Sequence, residues 1–195
     1  MLHKLNRSLA LALAAVLAFA GPAVAQESET AAGLTRERVT ELYFDAARQG
    51  RVDILDGLIR AGMNPNARDL RGFTPLIIAA YNGQAETVDF LISRGADPCG
   101  ADPKGNTALM GVAFKGESKT AERLVAEHCD VDAANAAGQT ALMMAALFGR
   151  ADVVKLLMAH GADPRVKDAA GNTALGLAAQ QGNAEMVALL AGNRR

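Results

Sequence analysis

The sequence is poor in the residues from which most enzyme active sites are built. It has three histidines in 195 residues, and only His128 and His160 follow residue 25. It contains no metalloprotease helix motif, zinc-ligand spacing, phosphate-binding glycine loop or nucleophile elbow. We therefore predict no catalytic site, no metal site and no bound cofactor, and we expect the two histidines to cap helix ends.

An excess of positive charge is also lacking. Residues 1–25 contain two of the 20 basic residues and none of the 21 acidic ones, so the remaining chain has 18 basic and 21 acidic residues and a net charge of −3. Binding to nucleic acid depends on a surplus of lysine and arginine. This balance gives no reason to expect a nucleic acid as partner.

No apolar run is long enough to span a bilayer. The run Leu9–Ala20 is too short for a transmembrane helix, follows two basic residues and is itself followed by small residues that end at Ala25. This pattern is typical of a cleavable export signal, with cleavage before Gln26, and it disfavours the alternative of an uncleaved anchor. We expect residues 1–25 to be removed, residues 26–34 to form a flexible linker, and the mature protein to reach the periplasm without a membrane anchor.

A regular repeat organises the rest of the chain. Glycines recur at a constant spacing, and each is followed by threonine two residues later, leucine four residues later and a second glycine eleven residues later. Such self-similarity is typical of stacked repeat proteins. The four sets are Gly72, Thr74, Leu76 and Gly83; Gly105, Thr107, Leu109 and Gly116; Gly138, Thr140, Leu142 and Gly149; and Gly171, Thr173, Leu175 and Gly182.

Each unit has the signals of two short helices followed by a turn. The threonine hydroxyl can cap the first turn of a helix, and Pro75 suits the first helical position because the N–H that it lacks has no partner there. The second glycine can adopt the left-handed conformation that ends this helix. A second helix follows, with residues such as Val88 and Leu91 at helical spacing. We expect the aspartates that recur in the turns to cap the turn backbone rather than to bind calcium.

These residues resemble the ankyrin repeat. The resemblance is clearest in residues 72–76, Gly-Phe-Thr-Pro-Leu, and in residues 94–98, Arg-Gly-Ala-Asp-Pro. It implies an all-α solenoid of five stacked helix-turn-helix repeats with short extended loops. The repeat domain would span residues 35–195 as an N-terminal cap repeat, three internal repeats and a C-terminal cap repeat: 35–71, 72–104, 105–137, 138–170 and 171–195.

One position departs from the family pattern. Ankyrin repeats usually have histidine after the leucine of Thr-Pro-Leu, where it bridges neighbouring repeats. Here that place holds Ile77, Met110, Met143 and Gly176. We therefore expect apolar packing instead of a hydrogen-bonded layer. The third unit, which contains Gly111, is the least regular.

The resemblance also implies that the protein binds another protein through the concave side of the stack, formed by the turn tips and the first helices. Four of the seven aromatic residues that follow residue 25 fall on surface positions carried over from the family, with three basic residues and no acidic one. An apolar strip with a basic edge is typical of an interface. The alternative is that Phe114 and Phe148 pack sideways between repeats. The predicted contact residues are Arg71, Phe73, Tyr81, Lys104, Phe114, Lys115, Leu147 and Phe148.

Two cysteines, Cys99 and Cys129, lie in the loops of successive units. An oxidising compartment would permit a disulfide between them, but the sequence does not give the distance that decides pairing. Free thiols, or a metal or haem held together with His128, are the alternatives.

We therefore predict a non-enzymatic, monomeric scaffold that binds another protein, of unknown identity, in the periplasm. Some exported bacterial ankyrin proteins that this chain resembles accompany catalases in peroxide defence. The resemblance thus also implies an alternative, an accessory protein for a redox or haem enzyme.

Overall fold

A computed structural model describes residues 35–192. The predicted signal peptide, the linker and the end of the chain after Gly192 lie outside this range. Within it there are ten α-helices and no strand other than a single bridge between Ala101 and Thr107. The helices are α1 (Arg36–Gln49), α2 (Val52–Arg60), α3 (Pro75–Tyr81), α4 (Ala85–Ser93), α5 (Ala108–Lys115), α6 (Ser118–Val125), α7 (Ala141–Leu147), α8 (Ala151–Ala159), α9 (Ala174–Gln180) and α10 (Ala184–Gly192).

The helices form five consecutive pairs. Helices α1, α3, α5, α7 and α9 stack side by side as an inner layer, helices α2, α4, α6 and α8 stack behind them, and α10 packs on α9. Each pair lies within one of the five units read from the sequence. This arrangement confirms the predicted all-α solenoid. No helix in residues 35–192 combines the length and the apolar character needed to cross a bilayer.

The inner helices begin at the predicted threonines. Each threonine Oγ1 accepts a hydrogen bond from the backbone N–H three residues later, which satisfies a donor at the free end of the helix. Helix α1 begins in the same way at Thr35, a cap that lies outside the register of the repeat and that the sequence pattern did not predict. The bonds are Thr35 to Arg38, Thr74 to Ile77, Thr107 to Met110, Thr140 to Met143 and Thr173 to Gly176.

The core is built from the inner and outer helices of all five pairs. Ile77, Met110 and Met143, at the position where the family usually has histidine, are at most 2% exposed. This burial confirms the predicted apolar packing at these three positions. Buried leucines of the outer helices, such as Leu91 and Leu124, complete the core.

The turns that precede the inner helices are held by carboxylate and amide side chains. Asp102 Oδ1 accepts hydrogen bonds from the backbone N–H groups of Lys104 and Asn106, both at 2.8 Å. This bonding confirms the predicted capping role of the turn aspartates. The equivalent residues Asp69, Asn135 and Asp168 accept the same two bonds in their own turns.

His128 is the one non-glycine residue in residues 35–192 with a positive φ, at 57°. It follows α6 at the place where the neighbouring units have Gly95 and Gly161. The left-handed conformation brings a Cβ atom close to the following carbonyl oxygen, which costs about 1–2 kcal/mol for most residues. The third unit therefore has a strained turn where its neighbours do not.

Replacing this histidine tests the strain directly. We expect His128→Gly to raise the free energy of unfolding by about 0.5–1 kcal/mol, because the relief of backbone strain exceeds the entropy lost by a more flexible glycine. Urea unfolding followed by circular dichroism measures the change. The matched control is Gly161→His, which should lower the free energy of unfolding. An unchanged or lower stability of His128→Gly would show that the imidazole stabilises this turn by more than the strain costs.

Candidate functional site

Three of the predicted contact residues form a row across neighbouring inner helices. Tyr81 ends α3, Phe114 lies in the last turn of α5, and Phe148 directly follows α7. The ring centroids of Tyr81 and Phe114 are 6.5 Å apart, and those of Phe114 and Phe148 are 4.5 Å apart with edge-to-face geometry. Such contacts between aromatic rings are favourable. We call these three residues the aromatic strip.

The aromatic strip keeps accessible surface. Phe148 is 43% exposed, and Tyr81 and Phe114 are half-buried. Phe114 and Phe148 pack against each other between repeats, as in the alternative interpretation of the sequence. Both rings also keep surface that solvent can reach. Solvent-accessible aromatic surface is thus spread over three successive repeats.

Gly111 positions the strip, a role that the sequence pattern did not indicate. A Cβ atom at this residue would lie 2.9 Å from Cδ2 of Tyr81, so the absence of a side chain lets the tyrosine ring rest on α5. The equivalent residues are Ile78, Met144 and Leu177 in the second, fourth and fifth units and Asp45 in the first. The one sequence signal for this contact was the irregularity of a glycine inside a helix.

The surroundings of the Tyr81 phenol disfavour its ionised form. Its pKa is raised, chiefly by desolvation in the partly buried site and also by the negative charge of Asp102. The Asp102 carboxylate is only 6% exposed and accepts hydrogen bonds from the Asn106 side chain as well as from the turn backbone. Like any phenol at neutral pH, Tyr81 presents a protonated hydroxyl group, which can donate a hydrogen bond.

The other predicted contact residues lie at the two ends of the inner helices. Arg71, Phe73 and Lys104 occupy the turns before α3 and α5, and the Arg71 guanidinium lies 5.1 Å from the centroid of the Phe73 ring. Lys115 and Leu147 are the last residues of α5 and α7. The three basic residues are exposed. Positive charge is thus present at both ends of α5, with Lys115 next to Phe114 of the aromatic strip.

The structure joins Cys99 and Cys129 by a disulfide, with the two Cα atoms 5.3 Å apart. Within residues 35–192, no group of three histidine, cysteine, aspartate or glutamate residues lies close enough together to hold a metal ion. His160 Nδ1 lies 2.9 Å from the backbone oxygen of Leu156 at the end of α8, which is the predicted capping contact. His128 occupies the strained turn beside Cys129.

A cavity of about 270 Å³ lies between α8 and α10, lined by residues that include Lys155, Met186 and Leu189. None of the eight predicted contact residues lines it. Its lining includes Lys155 and Glu185 but no histidine, cysteine or serine. The aromatic strip is therefore the better candidate for the functional site.

Helix pairs repeated five times, with an accessible row of side chains across the inner layer, define a repeat protein of the solenoid class. The sequence matches the family described as ankyrin repeats (3 copies) over residues 43–133 and 109–194. Because these matches span most of the chain, the protein belongs to the ankyrin repeat family. No curated protein shows significant similarity to the chain.

The contact between Gly111 and Tyr81 leads to a testable expectation. In Gly111→Ala the new methyl group should displace the Tyr81 ring toward solvent. Because burial is the main cause of the raised Tyr81 pKa, we expect this pKa to fall toward its ordinary value. NMR titration of the tyrosine ring carbons, assigned with Tyr81→Phe, measures the change.

Gly57 in α2 provides a matched control, because a Cβ atom there would meet nothing within 4 Å. We expect Gly57→Ala to raise the free energy of unfolding by about 0.5–1 kcal/mol, the usual gain for alanine over glycine inside a helix, and to leave the Tyr81 pKa unchanged. Gly111→Ala should show no such gain. An equal gain at both positions, with an unchanged Tyr81 pKa, would contradict the assigned role of Gly111.

Proposed function

We propose that the protein is a non-enzymatic scaffold that acts in the periplasm and holds another protein on the concave face of its ankyrin stack. The aromatic strip carries this proposal. Ankyrin repeats are generally protein-interaction modules, and the strip provides apolar surface that a partner can bury. Exposed aromatic side chains that rest on a rigid helical layer lose little entropy when they bind.

The flanking residues indicate the chemistry of the partner. Arg71, Lys104 and Lys115 are exposed, and they lie at the ends of α3 and α5. Leu70, in the same turn as Arg71, is fully exposed. A segment with apolar side chains for the strip and the Leu70 tip, and with acidic side chains for the three basic residues, would satisfy both features.

The proposed compartment is supported by the sequence that precedes Gln26. Its two basic residues, the apolar run Leu9–Ala20 and the small residues that end at Ala25 are together typical of an export signal. A disulfide between Cys99 and Cys129 is compatible with an oxidising compartment.

The partner can be captured and its binding site tested in one series of experiments. A photoreactive phenylalanine analogue at position 114, activated in living cells, should cross-link the partner for identification by mass spectrometry. We expect Tyr81→Ala/Phe114→Ala/Phe148→Ala to weaken binding of that purified partner by about 100-fold or more, because buried aromatic anchors carry much of the energy of an interface. Isothermal titration calorimetry measures the affinity.

Two further variants separate lost contacts from lost structure. Phe148→Ala removes the most exposed ring and should weaken binding by about ten-fold with little change in the circular dichroism. Phe90→Ala removes an aromatic ring from the outer helix α4, where Arg94 covers it at 4.9 Å, and should leave binding unchanged. Wild-type affinity in a folded triple variant would place the interface elsewhere.

Export has its own test. In a Gram-negative host the protein should be released with the periplasmic fraction, and sequencing of its N-terminus should begin at Gln26. The control is Ala25→Arg, because a large charged residue at the cleavage site should prevent processing. An intact N-terminus in the cytoplasmic fraction of the wild-type culture would contradict the proposed compartment.

A further inference from the structure

Polar contacts that recur at equivalent positions join neighbouring helix pairs outside the apolar core. The first junction lies between the pairs α1–α2 and α3–α4, the second between α3–α4 and α5–α6, and the third between α5–α6 and α7–α8. The second junction differs from both neighbours at two of these positions and from the third junction at one more.

The loops that follow the outer helices contain the first position. At the first junction, Asn66 Oδ1 accepts a hydrogen bond from a backbone N–H of the next loop at 2.7 Å. At the third junction, the Asp132 carboxylate accepts the equivalent bond at 3.0 Å. At the second junction this place holds Cys99, which is bonded to Cys129. A covalent bond therefore stands where both neighbouring junctions have a hydrogen bond.

The residue just before each outer helix is the second position. Gln84 Nε2 donates to a backbone oxygen of α1 at 3.1 Å, and Arg150 Nε donates to the backbone oxygen of Phe114 at 3.0 Å. The second junction has Glu117 at this place, and the equivalent backbone oxygen is that of Tyr81. An ionised carboxylate has no proton to donate, so the bond is lost at this junction.

The turn tips before the inner helices contain the third position. At the third junction, Ala136 N donates to the backbone oxygen of Lys104 at 2.7 Å. The equivalent donor at the second junction would be Pro103, which has no N–H. Its ring packs over Gly72, where a Cβ atom would come within 2.3 Å of Pro103 Cγ. The two tips are thus in contact but lack the backbone bond.

An ion pair also crosses the second junction, where the Arg123 guanidinium lies 3.6 Å from the Asp89 carboxylate. The Asp89 side chain is 60% exposed, so solvent screens this ion pair and it contributes little. The disulfide is the strongest link at this junction outside the core, because it alone is covalent.

The second junction also carries part of the candidate binding surface, because Tyr81 on α3 meets Phe114 on α5 across it. We propose that the Cys99–Cys129 disulfide is a redox-controlled brace of this junction, and that its reduction loosens the contact between α3 and α5 and weakens partner binding at the aromatic strip. The control of binding rests on the proposed function, whereas the loosening of the junction does not.

The reduction takes two electrons and two protons, which a dithiol reductant supplies. A thiolate of the reductant attacks one sulfur of the disulfide, and the other sulfur leaves and takes up a proton. The second thiol of the reductant then resolves the mixed disulfide. The products are two free cysteine thiols and a reductant with its own disulfide. Cys99 is exposed, so the bond is within reach of such a reductant.

Amide hydrogen exchange with detection by mass spectrometry tests the brace without a partner. We expect exchange in α3 and α5 to be about five-fold faster in Cys99→Ser/Cys129→Ser than in the oxidised wild type, with α7 and α9 unchanged. The wild type treated with dithiothreitol should behave like the variant. Unchanged exchange, or faster exchange confined to the two cysteine-containing loops, would overturn the proposal.

A second variant restores one of the missing hydrogen bonds. Glu117→Gln, added to Cys99→Ser/Cys129→Ser, supplies a donor for the Tyr81 backbone oxygen as Gln84 does at the first junction. We expect it to recover about half of the lost protection in α3 and α5. The control is Arg150→Ala in the wild type, which should speed exchange at the third junction instead. Absence of any recovery would show that the disulfide does not replace this bond, against the proposal.

Photocrosslinking from position 114 tests the control of binding. We expect the oxidised wild type to yield about ten-fold more cross-linked partner than Cys99→Ser/Cys129→Ser. Equal yields from the two proteins would refute redox control of the site and leave the proposed function intact. Absence of a product from both proteins would refute the proposed function and, with it, the control of binding.

Discussion

The structure depends on contact between helix pairs that cannot bury their apolar faces alone. The inner helices α3, α5, α7 and α9 are each about two turns long, and a helix this short has little stability in isolation. Their buried side chains, such as Ile77 and Met110, are covered by the inner helices on either side. Stability is therefore shared among neighbours along the stack, as is expected of a solenoid.

The candidate site follows from this stacking. Successive inner helices present equivalent residues side by side, so that Tyr81 and Phe114, one period apart in the sequence, become neighbours in space. Phe148 extends the row from the end of the next inner helix. The exception in the register, Gly111, is what allows the Tyr81 ring to lie close to α5. One glycine, at a helix position that holds large apolar residues in three other units, thus shapes the candidate binding surface.

Polar contacts add local differences to an otherwise repetitive stack. The first and third junctions have hydrogen bonds from side chains such as Gln84 and Arg150, whereas the second junction has Pro103 and Glu117 at donor positions and carries a disulfide. Each hydrogen bond contributes a small part of the stability of the stack. A disulfide, in contrast, can be formed or broken by reaction with an external thiol or disulfide. Under the proposed redox control, the second junction would respond to a reductant and the other junctions would not.

Local chemistry along the chain was sufficient to predict the repeat, its five helix pairs and the starts of the inner helices α3, α5, α7 and α9. These features depend on hydrogen bonds between residues a few positions apart, such as those made by Thr74 and Asp102. The row of aromatic residues could also be anticipated, because equivalent residues of a repeat share a face. The contacts of Tyr81 with Gly111 and of Cys99 with Cys129 emerged from the folded stack, since each joins residues that lie in different repeats. Their separation is set by how closely the repeats approach one another, which side-chain packing decides and a period in the sequence does not reveal.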